Sequence, residues 1–246
     1  MYQFFVADEQ VCDEKIYING PDVNHIGNVL RMKPGDNVRI SDGSGRDYFC
    51  HIESISKDEV CAVIDETDEN GTELSNDIYL FQGLPKGDKM ELIVQKAVEL
   101  GIKEIIPVAM KNCVVKLDEK KAANKIKRWQ LIAESAAKQS KRSVIPSVHM
   151  PISWKMVFEK AKELDTVLVP YENERGMQAT REIISGIEKG KSIGIVVGPE
   201  GGFADTEIAE VDEAKNMHRI SLGRRILRTE TAGLATLSML VYELDE

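Results

Sequence analysis

The sequence predicts an α/β protein in two parts: a small β-rich domain of barrel type, then a larger domain on a mainly parallel, buried sheet. Three observations carry this. The stretch "DNVRISDGSGRDYFCHIESISKDEVCAVIDE" alternates apolar and polar residues and breaks at Asp42-Gly43-Ser44-Gly45, a turn between two strands. From Asp77 onward, short apolar strands alternate with amphipathic segments of helical spacing. Between the two textures lies "DETDENGTELSND" (65–77), acidic, polar and broken by Gly71. The boundary placed there gives one domain over residues 1–72 and a second over 73–246.

Each element follows in order. "DVNHIGNVLRMKPGD" reads as a short helix from about Asp22, stopped by Pro34-Gly35. "DIYLFQGL" is a strand with both faces apolar. "DKMELIVQKAVELG" is an amphipathic helix ending on Gly101, a C-cap signal. "IKEIIPVA" is the next strand, and a long basic amphipathic helix covers about Asp118 to Gln139. "DTVLVPYE" is a strand, "GMQATREIISGI" a helix, "SIGIVVGPEG" a strand and "ADTEIAEVDEAKN" a helix. "HRISLG" and a final helix from about Thr229 complete the domain.

The totals exclude several classes. With 42% hydrophobic and 30% charged residues over 246 positions, the composition is that of a globular protein. No apolar run approaches the roughly 18 residues of a membrane span, and "MYQFFVADEQ" has no signal-peptide pattern. Cys12, Cys50, Cys61 and Cys113 form no CxxC pair and read as reduced thiols of a cytoplasmic protein. The four histidines have no metal spacing, so no metal is expected. The net charge of -9 is unevenly distributed: residues 1–74 hold 6 Lys/Arg against 16 Asp/Glu, whereas residues 111–142 hold 10 against 3. A basic patch in mid-chain can contact nucleic-acid phosphates, with binding that weakens steeply with salt.

Two stretches carry chemistry. In "SIGIVVGPEGGFADTEIAEV" an apolar strand stops at Gly198, and three glycines and a proline surround Glu200. A glycine turn at the carboxyl end of a parallel strand is the usual ligand position of open α/β sheets. The spacing is not GxGxxG, which argues against a dinucleotide, and no Gly-Lys-Ser/Thr follows for a P-loop. The second stretch, "ISLGRRILRTETAGLATLSMLVYEL", ends a strand at Leu222-Gly223 and then places three arginines before Thr229, Glu230 and Thr231, which read as cap chemistry for an apolar helix.

"VVGPEGGF" followed about twenty residues later by "LGRRILRTETA" resembles the signature pair of the SPOUT methyltransferases. More narrowly it resembles the RsmE family, which methylates N3 of a uridine in 16S ribosomal RNA. "NHIGNVLRMKPGD", "KGDKMELIVQKAVELGI" and "ESAAKQSKR" resemble that family's other blocks, so the likeness extends over nearly the whole chain. It implies a SPOUT fold with a C-terminal trefoil knot and an N-terminal PUA-like β-barrel that holds RNA. It also implies a homodimer acting on 16S ribosomal RNA, expected within the 30S subunit. Other SPOUT chemistry, at a ribose hydroxyl or a guanine, and a catalytically silent RNA-binding protein remain the competing readings.

Such proteins bind S-adenosylmethionine through three loops. The first corresponds to Val169, Pro170 and Tyr171, continuing to Glu172. The second is Gly198 to Gly202, with Glu200 and Gly201 inside it. The third runs from Ile220 through Leu222, Gly223, Ile226, Leu227, Arg228 and Thr231 to Ala232. Glu200 is expected either to favour the positively charged sulfonium or to fix the neighbouring loop by hydrogen bonds to amides or to Arg224, Arg225 or Arg228, because a buried carboxylate needs a partner. Arg228 is the candidate for stabilising negative charge on uracil oxygens, and Glu230 for orienting it or taking the proton. Candidate RNA contacts are Arg31, with Arg46 behind it, then Lys138, Lys141 and Arg142, and the loop arginines Arg224 and Arg225. Family members commonly carry a basic residue before the paired phenylalanines, where this chain has Tyr2-Gln3, a departure from the pattern at one expected RNA contact.

Overall fold

The computed structural model describes residues 1–69 and 71–245. It divides into two compact units, Met1–Glu73 with Ala137–Ile145, and Leu74–Ala136 with Pro146–Glu246. The division is therefore not one cut in the sequence, since a nine-residue segment from mid-chain groups with the first unit.

In the first unit six strands form one sheet: β1 (Tyr2–Phe5), β2 (Val11–Cys12), β3 (Lys15–Asn19), β4 (Asn37–Ser41), β5 (Asp47–Ile55) and β6 (Glu59–Asp68). Their order is β1-β4-β5-β6-β3-β2, antiparallel except for the parallel β1–β4 pair. Alternation puts Val38 and Ile40 of β4, Cys50 and Ile52 of β5, and Val60 and Ala62 of β6 in a common core with Ile16, Ile18 and Phe4. The β4–β5 turn is the one its residues demand: Asp42 Oδ1 accepts from Ser44 N at 2.8 Å, and Gly43 and Gly45 have φ of 78° and 113°. The short helix starts at Pro21 as α1 (Pro21–Asn24) and continues as a π turn over His25–Val29. It ends with Arg31 in the left-handed region at φ 54°, three residues before Pro34.

The segment Ala137–Ile145 is held to this sheet by a buried polar cluster. Ser143 is fully buried, and its Oγ donates to Asp47 Oδ2 at 2.6 Å. Asp47 also accepts from Ser41 Oγ and from the Arg39 guanidinium. Gln3, only 4% exposed, donates to Ser41 Oγ at 2.9 Å and to Arg142 O at 2.6 Å. The Arg142 guanidinium pairs with Glu73, whose Oε1 also accepts from Ser143 N and Val144 N at 3.0 and 3.2 Å. This corrects the expectation for Arg142. At 5% exposure and paired with a carboxylate, it is structural and does not face an RNA phosphate. Lys138, beside Asp22 at 3.4 Å, and Lys141, donating to Met1 O at 2.7 Å, are likewise engaged within the unit.

The second unit is a parallel α/β sheet. Its strands are β7 (Asp77–Gly83), β8 (Glu104–Ala109), β9 (Ser147–Val148), β10 (Ile152–Ser153), β11 (Thr166–Pro170), β12 (Ser192–Val197) and β13 (Met217–Ile220). The order is β10-β8-β7-β12-β11-β13, with β9 also on β8, and every pairing is parallel. Helices α2 (Lys89–Glu99), α3 (Glu119–Ser140, whose last four residues group with the first unit), α4 (Trp154–Ala161), α5 (Met177–Ser185), α6 (Asp205–Glu213) and α7 (Thr229–Leu244) connect and follow them. Gly101 closes α2 as its spacing predicts: at φ 88° it lets Gly101 N and Ile102 N bond to Val98 O and Ala97 O, at 3.1 and 3.0 Å. Phe81, Ile106, Val108, Val167, Val169 and Val196 build the core. No helix among the described residues is long and apolar enough to cross a membrane.

Candidate active site

The carboxyl ends of β11, β12 and β13 open into a cavity of about 390 Å³, within the range of small-molecule sites. One wall is the turn after β11, with Pro170, Tyr171 and Glu172. A second is the glycine loop, with Gly198, Pro199, Glu200 and Gly202. The third is the loop before α7, with Leu222, Gly223, Arg225, Ile226, Leu227 and Arg228, closed by Ala232. Eleven of the fifteen residues predicted for the cofactor thus line one space, although they come from three separate stretches.

The other four stand elsewhere, each for a physical reason. Val169 and Ile220 are strand residues whose side chains fill the core, at 0% and 1% exposure. Gly201 is turned outward, and its carbonyl accepts from Asn112 Nδ2 at 3.1 Å. Thr231 is exposed on the first turn of α7, where its amide bonds to Arg228 O at 2.9 Å. Glu230, expected at the chemistry, is not part of the wall; its Oε2 is buried without a hydrogen-bond partner.

Glu200 fixes a neighbouring loop through a backbone amide, as one of the expectations had it, and through a lysine instead of an arginine. Its Oε1 accepts from Lys89 Nζ at 2.8 Å and from Lys86 N at 3.0 Å, at the start of α2. Burial pushes its carboxyl up, but the Lys89 ammonium and the backbone amides outweigh that and hold it below the ordinary glutamate value. Among the described residues, no carboxylate pairs with Arg224, Arg225 or Arg228. Arg225 and Arg228 therefore present unneutralised charge at the cavity, and Arg224 lies off its wall.

Thr229 also departs from expectation. It does not cap α7, whose N-cap is Arg228 with no side-chain bond. Instead Thr229 Oγ1 donates to Gly198 O at 2.6 Å and accepts from the buried Gln82 Nε2 at 2.8 Å, tying the glycine loop to the arginine loop. The first turn of α7 leaves amides open beside the cavity, which favours negative charge there.

Comparison with known proteins agrees with this geometry. A model of the RNA methyltransferase domain matches residues 72–241, and one of the RNA methyltransferase PUA domain matches residues 18–65. Ribosomal RNA small subunit methyltransferase E of Bacillus subtilis is 42% identical over 232 residues, covering 93% of this chain and 90% of that protein. The chain belongs to the ribosomal RNA small subunit methyltransferase E family. The protein of that name from Mesomycoplasma hyopneumoniae is 31% identical over 99% of this chain and all of that one. Among solved structures, the small subunit methyltransferase E of Neisseria gonorrhoeae bound to S-adenosyl methionine superposes with a TM-score of 0.82 at 31% identity. It covers 98% of this chain and 97% of that one.

Within this methyltransferase E chain, three contributors to the site escaped sequence reading. Lys89 comes from the first turn of α2, Phe203 follows the glycine loop, and Gln82 is the penultimate residue of β7. Phe203 sits edge-on to Tyr171, with ring centroids 6.4 Å apart, so the cavity has an aromatic flank suited to a flat ring. Only Lys89 gave a signal, as a cation at a helix N-terminus, where the dipole disfavours it. The glycine loop is also pressed from below. A Cβ at Gly83 would stand 2.7 Å from Pro199 N and 2.8 Å from Met110 Sδ, so the loop backbone would have to move. Gly83→Ala is therefore expected to lower kcat/KM about 10²-fold through misplaced loop atoms, with weaker cofactor binding in calorimetry.

Proposed function

We propose that this chain transfers a methyl group from S-adenosylmethionine to N3 of a uridine in small-subunit ribosomal RNA. The observation that carries this is the single cavity walled by the glycine and arginine loops, in a chain of the methyltransferase E family. The residues fit the cofactor. A Cβ at Gly198 would lie 3.2 Å from Phe203 and 3.3 Å from the Gly202 carbonyl carbon, so glycine lets the loop fold this closely on itself at the cavity wall. Glu172 adds a carboxylate that suits a cationic group, and Tyr171 and Phe203 suit a heterocycle. When bound, S-adenosylmethionine supplies an electrophilic methyl group on a sulfonium.

The rest of the chemistry belongs to this chain. N3 of uracil carries a proton and is a poor nucleophile until that proton passes to water. Negative charge then gathers on the flanking carbonyl oxygens. Arg228, with no counter-ion among the described residues, donates to one of them and is already oriented by its place at the N-cap of α7. The pocket fixes the angle of approach, and the target base leaves its stack to enter.

The same reading includes a trefoil knot in the last part of the second unit, closure of the six-stranded sheet into a PUA-like barrel, and a homodimer on 30S subunits. The outward side of α7 supports the dimer, since Tyr242 is 89% exposed on a helix with a mostly apolar second half. For RNA, the exposed Arg31, Arg224 and Arg225 are the proposed contacts. Arg46 is partly occupied by Glu69 at 2.7 Å.

The test is methyl transfer from labelled S-adenosylmethionine to 30S subunits and to naked 16S RNA, both from cells lacking this protein. Label is then located by digestion and mass. 3-Methyluridine is the expected product. Label on a ribose or a guanine would move the target, and absence of both label and cofactor binding would overturn the reading.

A further inference from the structure

We propose that Lys89 is a positioning residue for the methyl transfer: its ammonium ties Glu200 of the glycine loop to Glu230 of α7 and holds two walls of the cavity in register. This rests on the methyltransferase reading above. Lys89 Nζ lies 2.8 Å from Glu200 Oε1 and 3.5 Å from Glu230 Oε2, the first a hydrogen bond and the second an ion pair at longer range. Three segments far apart in the chain thus meet at one nitrogen: the start of α2, the turn after β12 and the start of α7.

Several observations converge on this residue. Lys89 is the first residue of α2, where the helix dipole opposes a cation, so its placement runs against local preference. Among the described residues, its ion-pair partners are the two carboxylates. Glu230 Oε2 is buried and has no hydrogen-bond partner, so the ammonium is the group that compensates its charge. The hydrogen bond that Lys89 donates to Glu200 and the charges of both carboxylates raise the Lys89 ammonium above the ordinary lysine value. It therefore stays protonated at neutral pH and acts as a fixed cation, not as a base. Arg225 and Arg228 also line the cavity, but neither pairs with Glu200 or Glu230, so no second cation takes over if Lys89 is lost. Glu230 then acts on the reaction from behind the wall, through Lys89, and not on Arg228.

The test compares Lys89→Met, Lys89→Arg, Glu200→Gln and the double variant Lys89→Met/Glu200→Gln, by calorimetric titration with S-adenosylmethionine, steady-state kinetics and thermal unfolding. Lys89→Met is expected to weaken cofactor binding about tenfold and to lower kcat as well, with little change in melting temperature. Lys89→Arg should recover most of both, because it keeps the cation. The double variant should be no worse than the poorer single one, as for residues acting through one contact. Wild-type binding and turnover in Lys89→Met would overturn the proposal. So would an arginine variant as impaired as the methionine one, or losses that simply multiply in the double variant. Failure of the unaltered protein to bind S-adenosylmethionine would instead defeat the functional reading on which the proposal rests.

Discussion

Arg228→Ala is expected to lower kcat by about 10²–10³-fold, the usual cost of removing one preorganised donor from a developing oxyanion. The expectation follows from where the guanidinium stands. It lines the cavity, no carboxylate among the described residues neutralises it, and its backbone carbonyl anchors α7 by accepting from the amides of Thr231 and Ala232, both at 2.9 Å. Truncation removes the side chain without touching that anchor, so the helix start and the cofactor wall should survive. Calorimetry should accordingly show S-adenosylmethionine affinity close to that of the unaltered protein while turnover falls. Because the lost donor favours the deprotonated base, raising the pH should recover part of the rate. Undiminished methylation by Arg228→Ala would remove this role and return the search to Arg225, the other cavity arginine.

The second large effect falls on stability. Arg142→Ala is expected to destabilise the first unit by about 3 kcal/mol, the lower end for breaking a buried ion pair, because Glu73 keeps two amide bonds and some contact with water. The pair is more than a contact between two side chains. Glu73 gathers Arg142, Ser143 N and Val144 N, while the Arg142 carbonyl accepts from Gln3 Nε2. Chemical denaturation of the variant should show a lowered midpoint for this unit. The cofactor cavity holds no residue of the first unit, so S-adenosylmethionine binding should be unchanged below that midpoint. Unaltered stability combined with weaker RNA binding would instead restore Arg142 as an RNA contact.

The difference between these two arginines shows what a sequence can and cannot reveal. Arg228 follows a glycine-ended strand and opens an apolar helix, and those local signals place it at the carboxyl end of a parallel sheet without any knowledge of its neighbours. Arg142 looked equally available, one of ten basic residues in a stretch with only three acidic ones. Its partner Glu73 sits 69 positions earlier, in the acidic linker, and charge counting along the chain cannot pair the two. Glu200 shows the same limit. That it needs a partner follows from its place in a glycine turn, but Lys89 lies 111 positions away, much farther along the chain than the arginines that follow the turn. The short strands β9 and β10, two residues each, have too little periodic pattern to read.

The sequence by itself determined the alternation of strand and helix, the glycine turn after β12, the arginine loop before α7 and the C-cap at Gly101. Each depends on residues within one or two turns of each other, where backbone preference and side-chain period act directly. Only the tertiary structure decided that Thr229 bridges Gln82 and Gly198 instead of capping its helix, that Glu230 faces Lys89, and that residues 137–145 join the first unit. Hydrogen bonds and ion pairs form between groups that are close in space, and in a parallel sheet each neighbouring strand is separated by a whole crossover of chain. The partner of a polar side chain is therefore set by the order of the strands, which no local pattern encodes.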